Sequence, residues 1–236
     1  MGTRLHDVVV DAADPVRLGR FWSELLARPV TGESADEVDV TLSAGTDLVF
    51  VPVPEPKSVK NRLHLDLNST SPEHQAALVA RARELGARPV DIGQGTVPWV
   101  VLADPEGNEF CVLEPRAEYS DVGPVAAVVV DAVDPSALAA FWSHATGLPV
   151  VRAGEEFASL RQESAFWLEF VRVDEAKAVK NRVHLDVVPP ADGDLPTEVV
   201  RLEAQGAVRA DVGQGAVEWV VLADPEGNEF CVLTPR

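Results

Sequence analysis

Apolar and polar positions fall into one succession that the chain runs through four times. The run VVVDAADP, Val8–Pro15, is apolar and β-branched, which predicts a strand. Asp14 then reads as a helix N-cap with Pro15 as the first helical residue. Leu18, Phe21, Trp22 and Leu25 recur at helical spacing, predicting a helix over Pro15–Ala27 with one apolar face. Short strands are expected near Val38–Leu42 and Asp47–Val53. The succession then restarts. RLHLDL alternates strictly, with Arg62, His64 and Asp66 on one face and Leu63, Leu65 and Leu67 on the other. Ser71-Pro72 repeats the cap-and-proline start, and a helix runs to Leu85 before Gly86 ends it. Strands around Pro89–Ile92, Trp99–Ala103 and Glu109–Leu113 close the unit. The tight turn DPEGN, Asp104–Asn108, joins the last two: Pro fixes one φ and Gly supplies a positive one. Each unit is therefore a strand, a helix and three strands.

The second half repeats the first. WVVLADPEGNEFCVL, Trp99–Leu113, recurs unchanged at Trp219–Leu233; VKNRLHLD, Val59–Asp66, returns as VKNRVHLD, Val179–Asp186; and Phe21-Trp22 returns as Phe141-Trp142. Each recurrence lies 120 positions on, as Trp219 does from Trp99. A period this long is that of whole-domain duplication and not of a solenoid, whose repeats span roughly 20–50 residues. The expected domains are 1–116 and 124–236, joined by a polar linker at 117–123. Trp22 and Trp142, on helix faces, are expected in the core.

Charge narrows the partners. Acidic residues outnumber basic ones 38 to 20, a net charge of −18, which repels phosphate backbones and argues against nucleic acid. No apolar run approaches the roughly 20 residues of a membrane helix. The N-terminal stretch turns acidic without a long apolar run, so no secretory leader is expected. Cys111 and Cys231 stand at equivalent places, one per copy, so neither copy has an internal disulfide and a cytoplasmic protein is expected. There is no G-x-S-x-G elbow, phosphate loop or dinucleotide fingerprint.

A strand–helix–three-strand unit used twice per copy, with HLDL opening the second unit and DPEGNEFCVL closing it, resembles the vicinal oxygen chelate superfamily, and within it the glyoxalase-like and bleomycin-resistance-like domains. The resemblance covers both copies. It implies an α+β fold of two tandem glyoxalase-like domains, each a pair of βαβββ units curved into a cupped mixed sheet with helices outside. It implies that the two domains pair as a pseudo-dimer within one chain, itself a monomer or a homodimer. In metal-using relatives, side chains on the first and last strands of each unit hold one divalent ion in the cup, usually His or Gln and Glu. Other relatives bind a metabolite or drug without metal.

Carried onto this sequence, the ligand positions fall in copy one on Asp7 (with His6 one residue off), Val49, His64 and Cys111, and in copy two on Ala127, Glu169, His184 and Cys231. A one-residue shift turns a strand side chain to the other face, which a bulge would restore for His6. Neither set is a complete N/O donor set, so no cofactor is assigned. Divalent-metal candidates are His6, Asp7, His64, Glu169 and His184. The polar faces Arg62–His64–Asp66 and Arg182–His184–Asp186 read as cup-lining, ligand-contacting residues or as a structural network, Cys111 and Cys231 as cup-lining or as small apolar residues packed in a strand, and Trp99 and Trp219 as cup wall or core. Lys60-Asn61 and Lys180-Asn181 read as solvated loops. Copy two differs most in AFWLEFV, Ala165–Val171, where Trp167 and Glu169 replace Asp47 and Val49. Alternation places Trp167, Glu169 and Val171 on one face, and the resemblance implies that this face lines the cup, beside His184. Such a Glu169–His184 pair is a candidate acid–base couple, with His64 a further catalytic candidate. The expected function is binding of a small organic, planar or aromatic metabolite over an incomplete metal site. The alternative is a metal-dependent isomerase, lyase or dioxygenase.

Overall fold

The computed structural model describes residues 2–34, 36–161 and 165–235. Four βαβββ units follow one another. The first comprises β1 (Arg4–Ala12), α1 (Pro15–Leu26), β2 (Val30–Glu33), β3 (Val38–Ser43) and β4 (Thr46–Pro52). The second comprises β5 (Leu63–Leu67), α2 (Pro72–Glu84), β6 (Arg88–Pro89), β7 (Val100–Ala103) and β8 (Glu109–Val112). A 3-10 turn, Ala117–Tyr119, lies in the linker. The third unit is β9 (Val125–Ala132), α3 (Pro135–Thr146), β10 (Val150–Arg152), β11 (Phe157–Leu160) and β12 (Trp167–Arg172). The fourth is β13 (Val183–Val188), α4 (Leu195–Glu203), β14 (Val208–Arg209), β15 (Val220–Ala223) and β16 (Glu229–Val232).

Local chemistry explains the elements. Asp14, Ser71, Asp134 and Asp194 each accept a hydrogen bond from the backbone N–H three residues on, and proline occupies the first turn of all four helices. β2, whose sequence VTGE is half polar and half exposed, is the strand that periodicity does not reveal. β6 is held to two residues, shorter than the expected Pro89–Ile92.

Two mixed eight-stranded sheets result, ordered β14-β15-β16-β13-β1-β4-β3-β2 and β10-β11-β12-β9-β5-β8-β7-β6. The expected α+β architecture of two similar domains is present, but its units pair differently from a copy-by-copy reading. The first sheet joins the first unit of copy one to the second unit of copy two through the antiparallel pair β1–β13. The second sheet joins the remaining units through β5–β9. Each cup therefore takes half its wall from each copy.

The two sheets share one core. Trp22 of α1, which packs under the first sheet, makes edge contact with Phe110 of β8 in the second, 5.1 Å between ring centroids, and Trp142 meets Phe230 at 5.2 Å in the same way. The helix-facing sides of both sheets thus share one apolar core, which includes Leu18, Phe50, Leu138 and Phe170. Trp22 and Trp142 lie in it as expected, each indole N–H donating to the turn aspartate, Asp104 or Asp224.

The DPEGN turns knit the copies together. Glu106 accepts from the backbone N–H groups of Ala13 and Asp14 at 2.7 and 2.8 Å and pairs with Arg182 of the other copy at 3.4 Å. Arg182 also donates to the backbone carbonyls of Glu55 and Asp11, and Arg62 makes the reciprocal bonds to Glu175 and Asp131. Of the Lys-Asn pairs, the lysines lie in exposed loops as expected, but the asparagines do not. Asn61 and Asn181 are buried and donate to Asn108 and Asn228, while Lys60 and Lys180 reach across to Asp131 and Asp11. These amides and arginines hold the strand entrances in place.

Candidate functional site

The concave face of each sheet carries the same polar cluster. Strand pairing sets Asp66 beside Cys111 on one side and Ala127 on the other, and sets Asp186 beside Cys231. His64 and His184 stand two residues earlier on the same faces. His64 Nε2 lies 3.4 Å from Asp66 Oδ1, and His184 Nε2 lies 3.5 Å from Asp186 Oδ1 and 3.6 Å from Cys231 Sγ. In both cups the nitrogen, oxygen and sulfur atoms fall within 4.8 Å of one another.

Protonation follows from burial. Desolvation, with Lys180 nearby, depresses the His184 imidazole to about 3, so it is neutral and a weak base. Desolvation and the adjacent carboxylate push both thiols well above the usual cysteine range, so neither is a thiolate nucleophile. The cluster can donate and accept hydrogen bonds. In the first cup, His184 is not a strong base near neutral pH.

The walls of the two cups differ. In the first sheet a register shift between Leu5 and Val8 sets His6 and Asp7 opposite Asp186, the bulge that the His6 position requires. Asp7 Oδ1 accepts from the Asp47 backbone N–H at 3.1 Å. Burial first, then Glu37, Asp47 and Asp7, raises Asp39 to about 6. This wall is acidic. In the second cup the corresponding residues are Ser159, Trp167 and Glu169 in place of Asp39, Asp47 and Val49. Ser159 pairs with Glu169, Glu169 with Val129, and Val129 with His64, forming one row across the sheet.

The linker fills the second cup. Tyr119 is buried, donates its hydroxyl to Glu169 Oε1 at 3.0 Å, and stands edge-on to Trp167 with 6.2 Å between centroids. Burial raises Glu169 to about 7, against the opposing hydrogen bond from Tyr119. Arg116 lies over Trp99 and Tyr119 at 5.7 and 5.9 Å, and Arg161 over Trp167 at 4.7 Å. Asn68 secures the linker by donating to the carbonyls of Tyr119 and Gly123.

The family model for the glyoxalase-like domain matches residues 7–113 and again 127–233. The chain belongs to the glyoxalase-like domain family. Among solved structures, glyoxalase I from Zea mays aligns at a TM-score of 0.68 and 12% identity, covering 99% of this chain and 92% of that one. A putative dioxygenase from Bacillus subtilis aligns at 0.65 and 13%, covering 99% and 86%. At such identities the likeness is one of fold. Comparison with curated proteins gives no significant match. Among the described residues of this glyoxalase-like chain, no helix is long and apolar enough to cross a membrane.

The donor set bears on the divalent ion that the fold implies. One imidazole, one carboxylate and one thiol within 4.8 Å fit a zinc-type ion held by three side chains with a fourth position open. Asp66 and Asp186 complete these sets, a role that alignment to family ligand positions did not suggest. Of the other candidates, His6 and Asp7 adjoin each other 3.6 Å apart in the first cup. Glu169 belongs to the second sheet with His64, and His184 to the first. The expected Glu169–His184 couple therefore does not form, because the units exchange partners between copies. Trp167 and Glu169 do face a cup, with Cys111 and the partly buried Trp99 near Tyr119. Trp219 is 40% exposed. Arg62 and Arg182 are spent on contacts between copies. Tyr119, Ser159, Arg152 and Arg161 escaped the sequence reading. The one available signal was that the only tyrosine of the chain sits in an otherwise polar linker.

Proposed function

We propose that the protein binds a small organic molecule in its cups, oriented by the His–Asp–Cys cluster and without a resident metal, the family ligand positions being only partly filled, with Val49 and Ala127 among them. The observation that carries this reading is the cluster itself: three convergent polar side chains with apolar neighbours such as Val101 and Val221, repeated in both sheets. A few directed polar groups on an apolar wall are the usual form of a small-molecule site. His184 supplies a neutral donor–acceptor, Asp186 fixes its orientation, and Cys231 adds a weak thiol donor. A library of organic acids, amines and neutral aromatics, screened by thermal shift on the full chain, should yield a ligand whose stabilisation disappears in His184→Ala or His64→Ala. At 100 times its Kd a ligand adds about 2.7 kcal/mol, which such a screen detects. A ligand indifferent to both substitutions would place binding elsewhere.

A second reading, metal-dependent lyase, isomerase or dioxygenase chemistry, is favoured by the spacing of the three donors. His184, Asp186 and Cys231 would hold the ion, as would His64, Asp66 and Cys111. When bound, it would supply Lewis-acid polarisation of a substrate oxygen. Elemental analysis of untagged protein separates the readings. The proposed one expects well under one divalent ion per cup and a melting temperature unmoved by chelator; one zinc per cup, with melting lowered by chelator, supports the second.

A further inference from the structure

We propose that the second cup is a binding site for a hydroxylated aromatic carboxylic acid, and that linker residues Glu118–Asp121 occupy it as a tethered stand-in. This rests on the reading that the cups bind small organic molecules. Three features of the linker match such a ligand. The Tyr119 ring lies edge-on to Trp167, and its hydroxyl donates to Glu169. On either side of it in sequence, Glu118 pairs with Arg152 at 2.9 Å and Asp121 pairs with Arg161. Both arginines stack over Trp167, their guanidinium carbons 5.7 and 4.7 Å from the ring centroid. The linker thus brings an aromatic ring, a hydroxyl and carboxylates to a set of groups that copy one does not have: Thr41 and Asp47 stand where Arg161 and Trp167 do, and Gly32 where Arg152 does.

The stand-in leaves the site incomplete. Trp167 is 6% exposed and Ser159 fully buried, yet Trp167 Nε1 and Ser159 Oγ have no hydrogen-bond partner among the described residues. Ser159 is register-paired with Glu169, so its side chain shares the cup face. A buried donor without an acceptor is unfavourable and normally has an explanation. The linker carboxylates are engaged with Arg152 and Arg161, and neither donor is served. A free aromatic acid carries its oxygen acceptors on the ring itself and can present them to these donors while its hydroxyl takes the place of Tyr119. Arg152 and Arg161 then favour the anion over a neutral analogue. The linker acts as an internal competitor that lowers apparent affinity by its own occupancy.

The test uses the full chain, 4-hydroxybenzoate as probe and p-cresol as its uncharged analogue, read by calorimetry. Tyr119→Ala should bind the acid about tenfold more tightly than the unsubstituted protein does, because the competing ring is gone. It should prefer the acid over p-cresol by about tenfold. Arg161→Gln in that background should abolish the preference, and Trp167→Leu should abolish binding. Saturating acid should also speed tryptic cleavage after Arg116 in the unsubstituted protein, since the linker leaves the cup. If Tyr119→Ala does not fold, Tyr119→Phe, which keeps the ring and removes the hydroxyl, should still bind the acid more tightly; unchanged affinity would overturn the proposal. So would p-cresol binding as tightly as the acid, which marks a plain void. Failure of the acid to bind, while another molecule binds in a His184-dependent way, overturns this assignment and leaves the general reading standing.

Discussion

Glu169 shows how a single carboxyl acquires a pH dependence from its surroundings. Burial raises it from 4.5 to about 7, with Asp66 and Glu118 adding to the shift and Tyr119 and Arg116 opposing it. The folded chain therefore holds this proton more tightly than the unfolded chain. Its contribution to stability is greatest at acid pH and is lost as pH rises from about 4.5 through 7. Glu169→Gln keeps an oxygen for Tyr119 and removes the titration. It should match the unsubstituted protein in urea unfolding at pH 5 and exceed it by about 2–3 kcal/mol at pH 8. An equal difference at both pH values would mean that Glu169 stays ionised in the fold. The same residue marks where sequence reading stopped. Alternation placed Glu169 and Trp167 on the correct face, because facing is local to a strand. Their neighbours His64 and Tyr119 are 105 and 50 positions away, as the numbering shows, and no local pattern encodes that proximity.

Among elements, the DPEGN turn does more than reverse the chain. Asp104 is fully buried and accepts from the backbone N–H groups of Glu106 and Asn108, from the Asn108 amide and from the Trp22 indole. A loop that looks exposed in sequence is thereby anchored beneath a helix of the preceding unit. Asp104→Ala strands several buried donors and should cost about 3 kcal/mol or more, read as a fall in melting temperature, whereas Ala at the exposed Asp192 should cost about 0.5 kcal/mol or less. Helices were the most legible elements, since caps, prolines and apolar faces are all local. α1 and α2 end one residue short of the expected limits, at Leu26 and Glu84. β2 was illegible because its edge position demands no apolar alternation, and Asn61 because an amide buried among amides looks like any loop residue.

For the molecule as a whole, repetition made the two-domain α+β class plain, yet repetition could not say which halves share a sheet. A duplicated sequence is equally compatible with pairing inside a copy or between copies. The structure chooses the latter, which makes a definite prediction about dissection. Residues 1–116 alone keep β1 and β5 but lose both central partners, β13 and β9. Two such fragments can pair β1 of one with β5 of the other, twice, so the fragment should sediment as a dimer or aggregate. A stable monomer would contradict the exchange of strands between copies. The same pairing has a consequence for birth on the ribosome. Arg4 must wait for Val188 before its ladder can close. At roughly 5–20 residues per second, the first half emerges with two unzipped edges and holds them for several seconds or longer. During that interval neighbouring nascent chains on one message carry matching edges, so the protein's chief hazard is entanglement between siblings, which slow initiation or a chaperone shielding β1 and β5 would relieve.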